Sequence, residues 1–86
     1  MKKYTAHIRI MPMRELLDPQ GKAVAKNISN LGIQGVSDVR IGKSIELYLE
    51  AKSEELAREN VEKACKKLLA NLIMENYEFE LEEIQE

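Results

Sequence analysis

Apolar and polar residues alternate near both ends of the chain. Residues 4–11 carry an apolar side chain at nearly every second position, and Pro12 closes the run. Residues 77–82, Tyr-Glu-Phe-Glu-Leu-Glu, alternate in the same way. Because successive side chains of a strand point to opposite faces, a period of two is typical of a half-buried β-strand. The pattern predicts a strand in each segment.

A helical period replaces the alternation over residues 18–31. Asp18 is a residue type that caps helix N-termini, and Pro19 suits the first helical position, where a missing N–H costs nothing. Apolar residues then recur four and three positions apart, as on one face of a helix. Gly32 stands where a left-handed glycine commonly ends a helix. We therefore predict a helix with both ends marked.

A second helix is predicted over residues 53–70. Ser53 is expected to cap it, and Glu54 and Glu55 place negative charge at the positive end of the helix dipole. The apolar residues of the segment form one stripe, which indicates a helix with a single buried face. Asn71 is the expected stop.

Residues 36–51 are long for a single strand. One parity is kept on both sides of an interruption at residues 42–44, Gly-Lys-Ser, by Val39, Ile41, Ile45, Leu47 and Leu49. Glycine inside a strand marks a bulge, a bend or a close approach of another backbone. The pattern fits one bent strand or two strands joined by a hairpin-like corner, and it does not distinguish them.

Taken in chain order, the predicted elements are β-α-β(-β)-α-β. Helices that alternate with short strands are typical of a two-layer α+β sandwich of the split-βαβ, ferredoxin-like type, here with a long bent or broken central strand. We expect both helices to cover one face of the sheet. The 86 residues contain no linker-like segment, so one domain over residues 1–86 is expected.

Composition narrows the class of protein. The chain carries 13 Lys+Arg and 15 Asp+Glu, a formal net charge of −2, which argues against a nucleic-acid binder with a basic surface. One cysteine cannot form an internal disulfide and fits a reducing compartment. No apolar run approaches the ~20 residues of a membrane span, and the N-terminus lacks the apolar core of a signal peptide. We expect a soluble cytoplasmic protein that binds neither nucleic acid nor membrane.

Residues suited to catalysis are scarce. The single histidine, His7, is expected to be exposed or to lie between strands, and the single cysteine, Cys65, falls in the apolar stripe of the second helix. The glycines match neither the Walker pattern nor the dinucleotide-binding pattern. We therefore expect no catalytic, metal-binding or cofactor-binding residue in this chain.

One candidate contact motif is Asp18-Pro19-Gln20-Gly21, at the start of the first helix. Gly21 within the first turn lowers helix propensity by about 1 kcal/mol relative to alanine. Two explanations remain open. The motif is either a capped helix start with tight local packing, or a positively poled helix terminus that an anion or another backbone approaches.

A second candidate motif, Arg40-Ile41-Gly42-Lys43, places two cations around the predicted strand corner. These cations either form ion pairs with the glutamate-rich final strand or contact a partner protein. The predicted partner interface consists of Asp18, Pro19, Gln20, Gly21, Arg40, Gly42 and Lys43.

The same motifs resemble those of a known family. Leu-Leu-Asp-Pro-Gln-Gly-Lys-Ala-Val at residues 16–24, Val-Arg-Ile-Gly-Lys at 39–43 and Leu-Leu-Ala-Asn at 68–71 follow the order and spacing of PurS. PurS is the small subunit of phosphoribosylformylglycinamidine synthase (formylglycinamide ribonucleotide amidotransferase). The chain departs from that family at residues 13–15, Met-Arg-Glu instead of Lys-x-Gly, and at residues 71–72, Asn-Leu instead of Asn-Pro.

The resemblance implies a role in de novo purine synthesis. In the PurS-containing assembly, formylglycinamide ribonucleotide, glutamine and ATP give formylglycinamidine ribonucleotide. A glutaminase subunit, PurQ, releases ammonia, and a large synthetase subunit, PurL, uses it. By this resemblance the chain is a non-catalytic homodimer, or a dimer of dimers, that bridges the two subunits and supports ammonia transfer. ATP and magnesium are then expected on the large subunit.

Two other functional classes remain open. A regulatory domain of the ACT type would bind an amino acid at its dimer interface, but the bulky residues 11–17 offer no glycine-rich ligand loop after the first strand. Saturable binding of glutamine or another amino acid would favour that class. An enzyme acting alone would need a nucleophile, and the sequence offers no candidate.

Overall fold

The fold consists of three strands that alternate with two helices. The computed structural model describes residues 1–85. Its elements are β1 (Lys2–Pro12), α1 (Pro19–Asn30), β2 (Lys43–Ala51), α2 (Glu54–Ala64), a π-helical turn that continues α2 (Cys65–Leu69), and β3 (Glu75–Ile84). The strand order is β2-β1-β3, and both outer strands run antiparallel to β1. β2, α2 and β3 therefore form a split βαβ unit around β1, and the predicted α+β fold is confirmed.

Alternation along the strands sorts the side chains onto two faces. On one face, Ile8 of β1 lies between Ile45 of β2 and Phe79 of β3, and this register continues along the sheet. The same face packs against α2 and the π-helical turn after it, where Val61 and Cys65 are fully buried. Burial of apolar surface contributes about 25 cal/mol per Å², so this sheet–helix interface holds the fold together.

The helix termini follow the predicted capping residues. Asp18 caps α1, and Gly32, just after it, has a φ of 83°. The hydroxyl of Ser53 accepts a hydrogen bond from the backbone N–H of Leu56 at 3.2 Å. Beyond α2, the N–H of Ala70 donates to the carbonyl of Cys65 at 2.9 Å, which closes the π-helical turn. No helix within residues 1–85 has the length and apolar character needed to cross a membrane.

The predicted strand over residues 36–51 begins only at Lys43, and the additional strand considered before it is absent from the described chain. Residues 33–42 have no regular secondary structure. The backbone N–H groups of Val39 and Ile41 donate to side-chain carboxylates, at 2.9 Å each, instead of to a neighbouring strand. Because a strand ladder requires such donors, these contacts prevent earlier pairing.

α1 does not lie on the sheet, so the prediction that both helices cover one face is wrong. Within residues 1–85, no α1 side chain belongs to the apolar core, and Gly21 is the buried residue of this helix. The connectivity gives the reason. The chain leaves β1 and enters β2 at the same end of the sheet, where Ile10 lies opposite Lys43. Only a connection between parallel strands has to cross the sheet. Because β1 and β2 are antiparallel, α1 and the loop after it can leave the sheet, and they form an arm (residues 19–41).

Candidate interaction surface

The arm is fixed to the end of the sheet through a joint built around Asp18. The carboxylate of Asp18 accepts a hydrogen bond from the N–H of Gly21 through Oδ1, and one from the N–H of Ile41 through Oδ2, both at 2.9 Å. It therefore caps α1 and ties the returning loop to the helix start. These two bonds, and then the nearby guanidinium of Arg40, hold the pKa of the Asp18 carboxyl below its usual 3.8.

Arg40 closes the joint from the other side. Its Nη2 donates to the carbonyl oxygens of Pro12 at 2.9 Å and Met13 at 2.6 Å. Its Nη1 donates to the carbonyl oxygen of Arg14 at 3.3 Å. The rigid, planar guanidinium can reach several acceptors at once. Arg40 therefore holds the segment after β1 against the end of the arm and sets the direction in which α1 leaves the sheet.

Two glycines allow the backbone segments of the joint to approach closely. A Cβ atom on Gly21 would overlap the carbonyl oxygen of Val39, and one on Gly42 would overlap the carbonyl oxygen of Ile10 and the sulfur of Met11. Neither glycine has a positive φ. Lack of space therefore requires glycine at these positions. This explains why Gly21 occurs in the first turn of α1 despite its low helix propensity.

Four of the predicted interface residues belong to the joint: Asp18, Gly21, Arg40 and Gly42. Nearby, the Nζ of Lys43 lies 3.6 Å from the carboxylate of Glu75 at the start of β3, so this cation does pair with the final strand. Pro19 and Gln20 are exposed in the first turn of α1. The structure thus gathers the seven residues at one end of the sheet, and their contact with a partner stays a prediction.

The polar face of the sheet carries the histidine. His7 Nδ1 lies 3.9 Å from the carboxylate of Glu46 on β2, and Nε2 lies 3.8 Å from that of Glu82 on β3. Its side chain is 46% exposed, so the prediction of an exposed, cross-strand histidine is confirmed. Among residues 1–85, no group of three or more His, Cys, Asp and Glu side chains is arranged to hold a metal ion.

The thiol lies on the opposite, apolar side. Cys65 is fully buried, as predicted, and burial, followed by the nearby Glu62 carboxylate, raises the pKa of its thiol. The phenol of Tyr77 donates to the carboxylate of Glu62 at 2.6 Å, which raises the pKa of Tyr77 to about 12. Both groups are protonated at neutral pH, so neither is activated as a nucleophile.

Exposed apolar side chains mark two further surfaces that the sequence motifs did not indicate. On the arm, Leu31 is 76% exposed, and Ile33 and Val36 follow it in the loop. A second group lies near the joint, where the N–H of Met13 donates to the carbonyl of Met74 at 2.9 Å. The exposed apolar residues of the two segments joined there are Leu16, Leu17, Leu72, Ile73 and Met74. The available signal was an apolar run in segments otherwise typical of loops.

Comparison with known families decides the assignment. The family model for PurS, phosphoribosylformylglycinamidine (FGAM) synthase, matches residues 5–83. The chain belongs to the PurS family. The motifs at both sides of the joint therefore indicated the correct family, and the PurS match extends over the sheet, both helices and the arm.

Individual PurS proteins agree with this assignment. The PurS subunit of phosphoribosylformylglycinamidine synthase from Synechocystis is 46% identical over 78 residues, which cover 91% of this chain and 78% of the relative. The structure of PurS from Thermus thermophilus has a TM-score of 0.82 at 39% identity and covers 96% of this chain and 99% of its own. A chain in the structure of PurLQS from Thermotoga maritima has a TM-score of 0.84 at 33% identity, covering 98% and 100%.

Proposed function

We propose that this chain is the non-catalytic bridging subunit of the purine-biosynthetic formylglycinamide ribonucleotide amidotransferase. It joins the glutaminase subunit PurQ to the ATP-dependent synthetase subunit PurL and supports ammonia transfer between them. The observation that carries the proposal is the likeness, over 98% of this chain, to a chain within the structure of PurLQS. A shared fold over the full length of a subunit favours the same place in the complex.

The chemistry of the joint supports binding in preference to turnover. Asp18 and Arg40 are the charged groups at its centre, and their hydrogen bonds go to backbone groups of the same chain. Their role is therefore to shape a surface. An amino-acid-binding regulatory domain is not favoured, because Arg40 and Met74 hold the segment after β1 in place, where such a domain would need a glycine-rich ligand loop.

The proposed assembly distributes the chemistry among its subunits. PurQ produces ammonia from glutamine, and PurL binds ATP and magnesium and forms the amidine. This chain contributes protein surface, acts as a homodimer or a dimer of dimers, and works in the cytoplasm with the other two subunits. Its small size favours such assembly, since a chain of this length buries only about 60% of its unfolded surface.

Reconstitution from purified subunits tests the proposal. With cognate PurL and PurQ, glutamine-dependent formation of formylglycinamidine ribonucleotide should require this chain, whereas formation from added ammonia should not. The ammonia reaction is the internal control, because it reports the activity of PurL alone. Unchanged glutamine-dependent turnover after omission of the chain would exclude a bridging role.

A further inference from the structure

A recess beside the joint gathers most of the guanidinium groups of the chain. The chain has four arginines, at positions 9, 14, 40 and 58, and the first three line this recess. Its volume is about 530 Å³, within the range of about 300–1,000 Å³ that is typical of small-molecule sites. The lining residues are Arg9, Met11, Pro12, Arg14, Asp38 and Arg40. The recess therefore has the size of a ligand site and one dominant kind of polar group.

The charge of the recess favours an anion. Three arginines and one aspartate give its lining a formal charge of +2, although the whole chain carries −2. Groups of one sign around a concave surface strengthen the local potential and raise the concentration of counter-ions there. A guanidinium is planar and presents paired N–H donors that match the oxygens of phosphate and carboxylate groups. A dianion therefore suits the recess better than a neutral molecule or an amino acid, whose net charge is zero.

The three arginines keep donors for a bound group. Within residues 1–85, the guanidinium of Arg14 has neither a hydrogen bond nor an ion pair, while its backbone carbonyl is held by Arg40. Arg40 uses three of the five N–H bonds of its guanidinium on backbone carbonyls, so two are left. Arg9 lies 3.6 Å from the carboxylate of Glu78. Because both members of this pair are exposed, the pair contributes little stability, and a second anion can share Arg9.

The remaining lining residues indicate the rest of the ligand. Arg9 and Met11 share the polar face of β1 with His7, so the recess lies on the side of the sheet opposite the apolar core. The carboxylate of Asp38 accepts a hydrogen bond from the N–H of Val39 through Oδ1 at 2.9 Å, and among residues 1–85 its Oδ2 has no partner. A carboxylate oxygen is an acceptor for a hydroxyl group. The recess therefore fits a molecule that carries hydroxyl groups beside its anionic group.

We propose that this recess binds the phosphate monoester of a small hydroxylated molecule, a sugar phosphate. The guanidinium groups of Arg9, Arg14 and Arg40 hold the phosphoryl oxygens, and Asp38 accepts a hydroxyl hydrogen of the sugar. A phosphate monoester carries a charge of about −1.5 to −2 at neutral pH, which complements the charge of the recess. Because Arg40 also holds the joint, the bound ligand stabilises the joint and fixes the direction of the arm. This inference does not depend on the bridging role.

NMR titration of the full chain with ribose 5-phosphate, in a chloride buffer of low ionic strength, provides the first test. The signals of Arg9, Arg14 and Arg40 should shift saturably, with a dissociation constant on the order of 1 mM because the recess is open to solvent. Inorganic phosphate should bind about 2- to 10-fold more weakly, since it lacks the sugar hydroxyls that Asp38 accepts. Ribose should cause no shift. The absence of saturable shifts up to ~20 mM ribose 5-phosphate, or equal binding of ribose, would overturn the proposal.

Matched variants locate the binding site. Arg14→Gln should weaken binding of ribose 5-phosphate about 10-fold, because it removes a charge-assisted hydrogen bond. Arg58→Gln removes the same charge from an exposed position on α2, outside the recess, and should leave the affinity unchanged. Glu78→Gln removes the competing carboxylate beside Arg9 and should tighten binding about 2- to 5-fold. Equal weakening by Arg14→Gln and Arg58→Gln, or weaker binding in Glu78→Gln, would overturn the proposal.

Amide hydrogen exchange tests whether the ligand stabilises the joint. A ligand that binds only the closed joint suppresses opening by a factor of one plus its concentration divided by its dissociation constant. Ribose 5-phosphate at ten times the wild-type dissociation constant should therefore slow exchange of the Ile41 amide, which donates to Asp18, about 11-fold. In Arg14→Gln the same concentration should slow it only about twofold. An exchange rate at Ile41 that is unchanged when the recess is saturated would contradict the proposal.

Discussion

Replacing Gly21 with alanine tests whether close packing at the joint dictates that residue. Helix propensity alone predicts that Gly21→Ala stabilises α1 by about 1 kcal/mol. The structure predicts the opposite sign, because the new Cβ would overlap the carbonyl oxygen of Val39 and lie 2.8 Å from Oδ2 of Asp18.

The loss of stability in Gly21→Ala depends on which atoms must move to make room for the new Cβ. Overpacking costs about 1–3 kcal/mol, and the upper end applies here because the overlapped atom belongs to backbone held by hydrogen bonds of its neighbours Arg40 and Ile41. Subtraction of the ~1 kcal/mol gained in propensity leaves a net loss of roughly 2 kcal/mol. Since the arm lies outside the core, the loss should appear as local opening of the joint.

Amide hydrogen exchange measures that opening residue by residue. In Gly21→Ala, the N–H of Ile41, which donates to Asp18, should exchange roughly 30-fold faster, while core amides such as that of Ile8 are unaffected. Ala23→Gly is the control. It lies at an exposed position of the same helix, so it measures the difference in helix propensity between alanine and glycine alone, about 1 kcal/mol. Slower exchange at Ile41 in Gly21→Ala would refute the close-packing explanation.

Two titrations test the remaining electrostatics. Because the native pKa of Asp18 lies below 3.8, the stabilisation by its carboxylate is complete above that pH and is lost as pH falls through the native pKa. The exchange rates of the Ile41 amide in wild type and in Asp18→Asn should therefore converge in acid. A difference in rate that persists unchanged at low pH would contradict this explanation. Because the hydrogen bond to Glu62 raises the pKa of Tyr77 to about 12, the stabilisation of the fold by this bond is complete below pH 10. It disappears as pH rises through 12 and the phenol loses its proton. In Glu62→Gln, NMR titration of the Tyr77 ring carbon should give a pKa closer to 10, and an unchanged value would exclude that hydrogen bond.

Local rules predicted β1, β3 and the two helix starts correctly. The alternation of β1 and β3, the Asp18 cap and the Ser53 cap all depend on neighbours within a few residues of the chain. For this reason they can be recognised without knowledge of the tertiary structure. The family motifs were equally visible, because they are short and occur in a fixed order.

The joint could not be predicted because its contacts link distant residues. Ile41 reaches Asp18, and Arg40 reaches Pro12 and Met13, across more than 20 positions of the chain. These contacts keep residues 36–42 out of the sheet, although Val39 and Ile41 share the parity of the apolar residues in β2. Because of the same contacts, the apolar face of α1, which would ordinarily pack on the sheet of its own chain, becomes the exposed face of the arm. Sequence periodicity identifies a face that needs burial but not the surface that buries it.

Stepwise addition of this chain to a fixed amount of PurL and PurQ tests the bridging role most directly. Formylglycinamidine ribonucleotide is measured with glutamine and, in parallel, with ammonia as the nitrogen source. The glutamine-dependent rate should rise with added chain and saturate when every PurL has its bridging subunit, while the ammonia-dependent rate should stay constant. Parallel increases in both rates, or no increase in either, would contradict the bridging role.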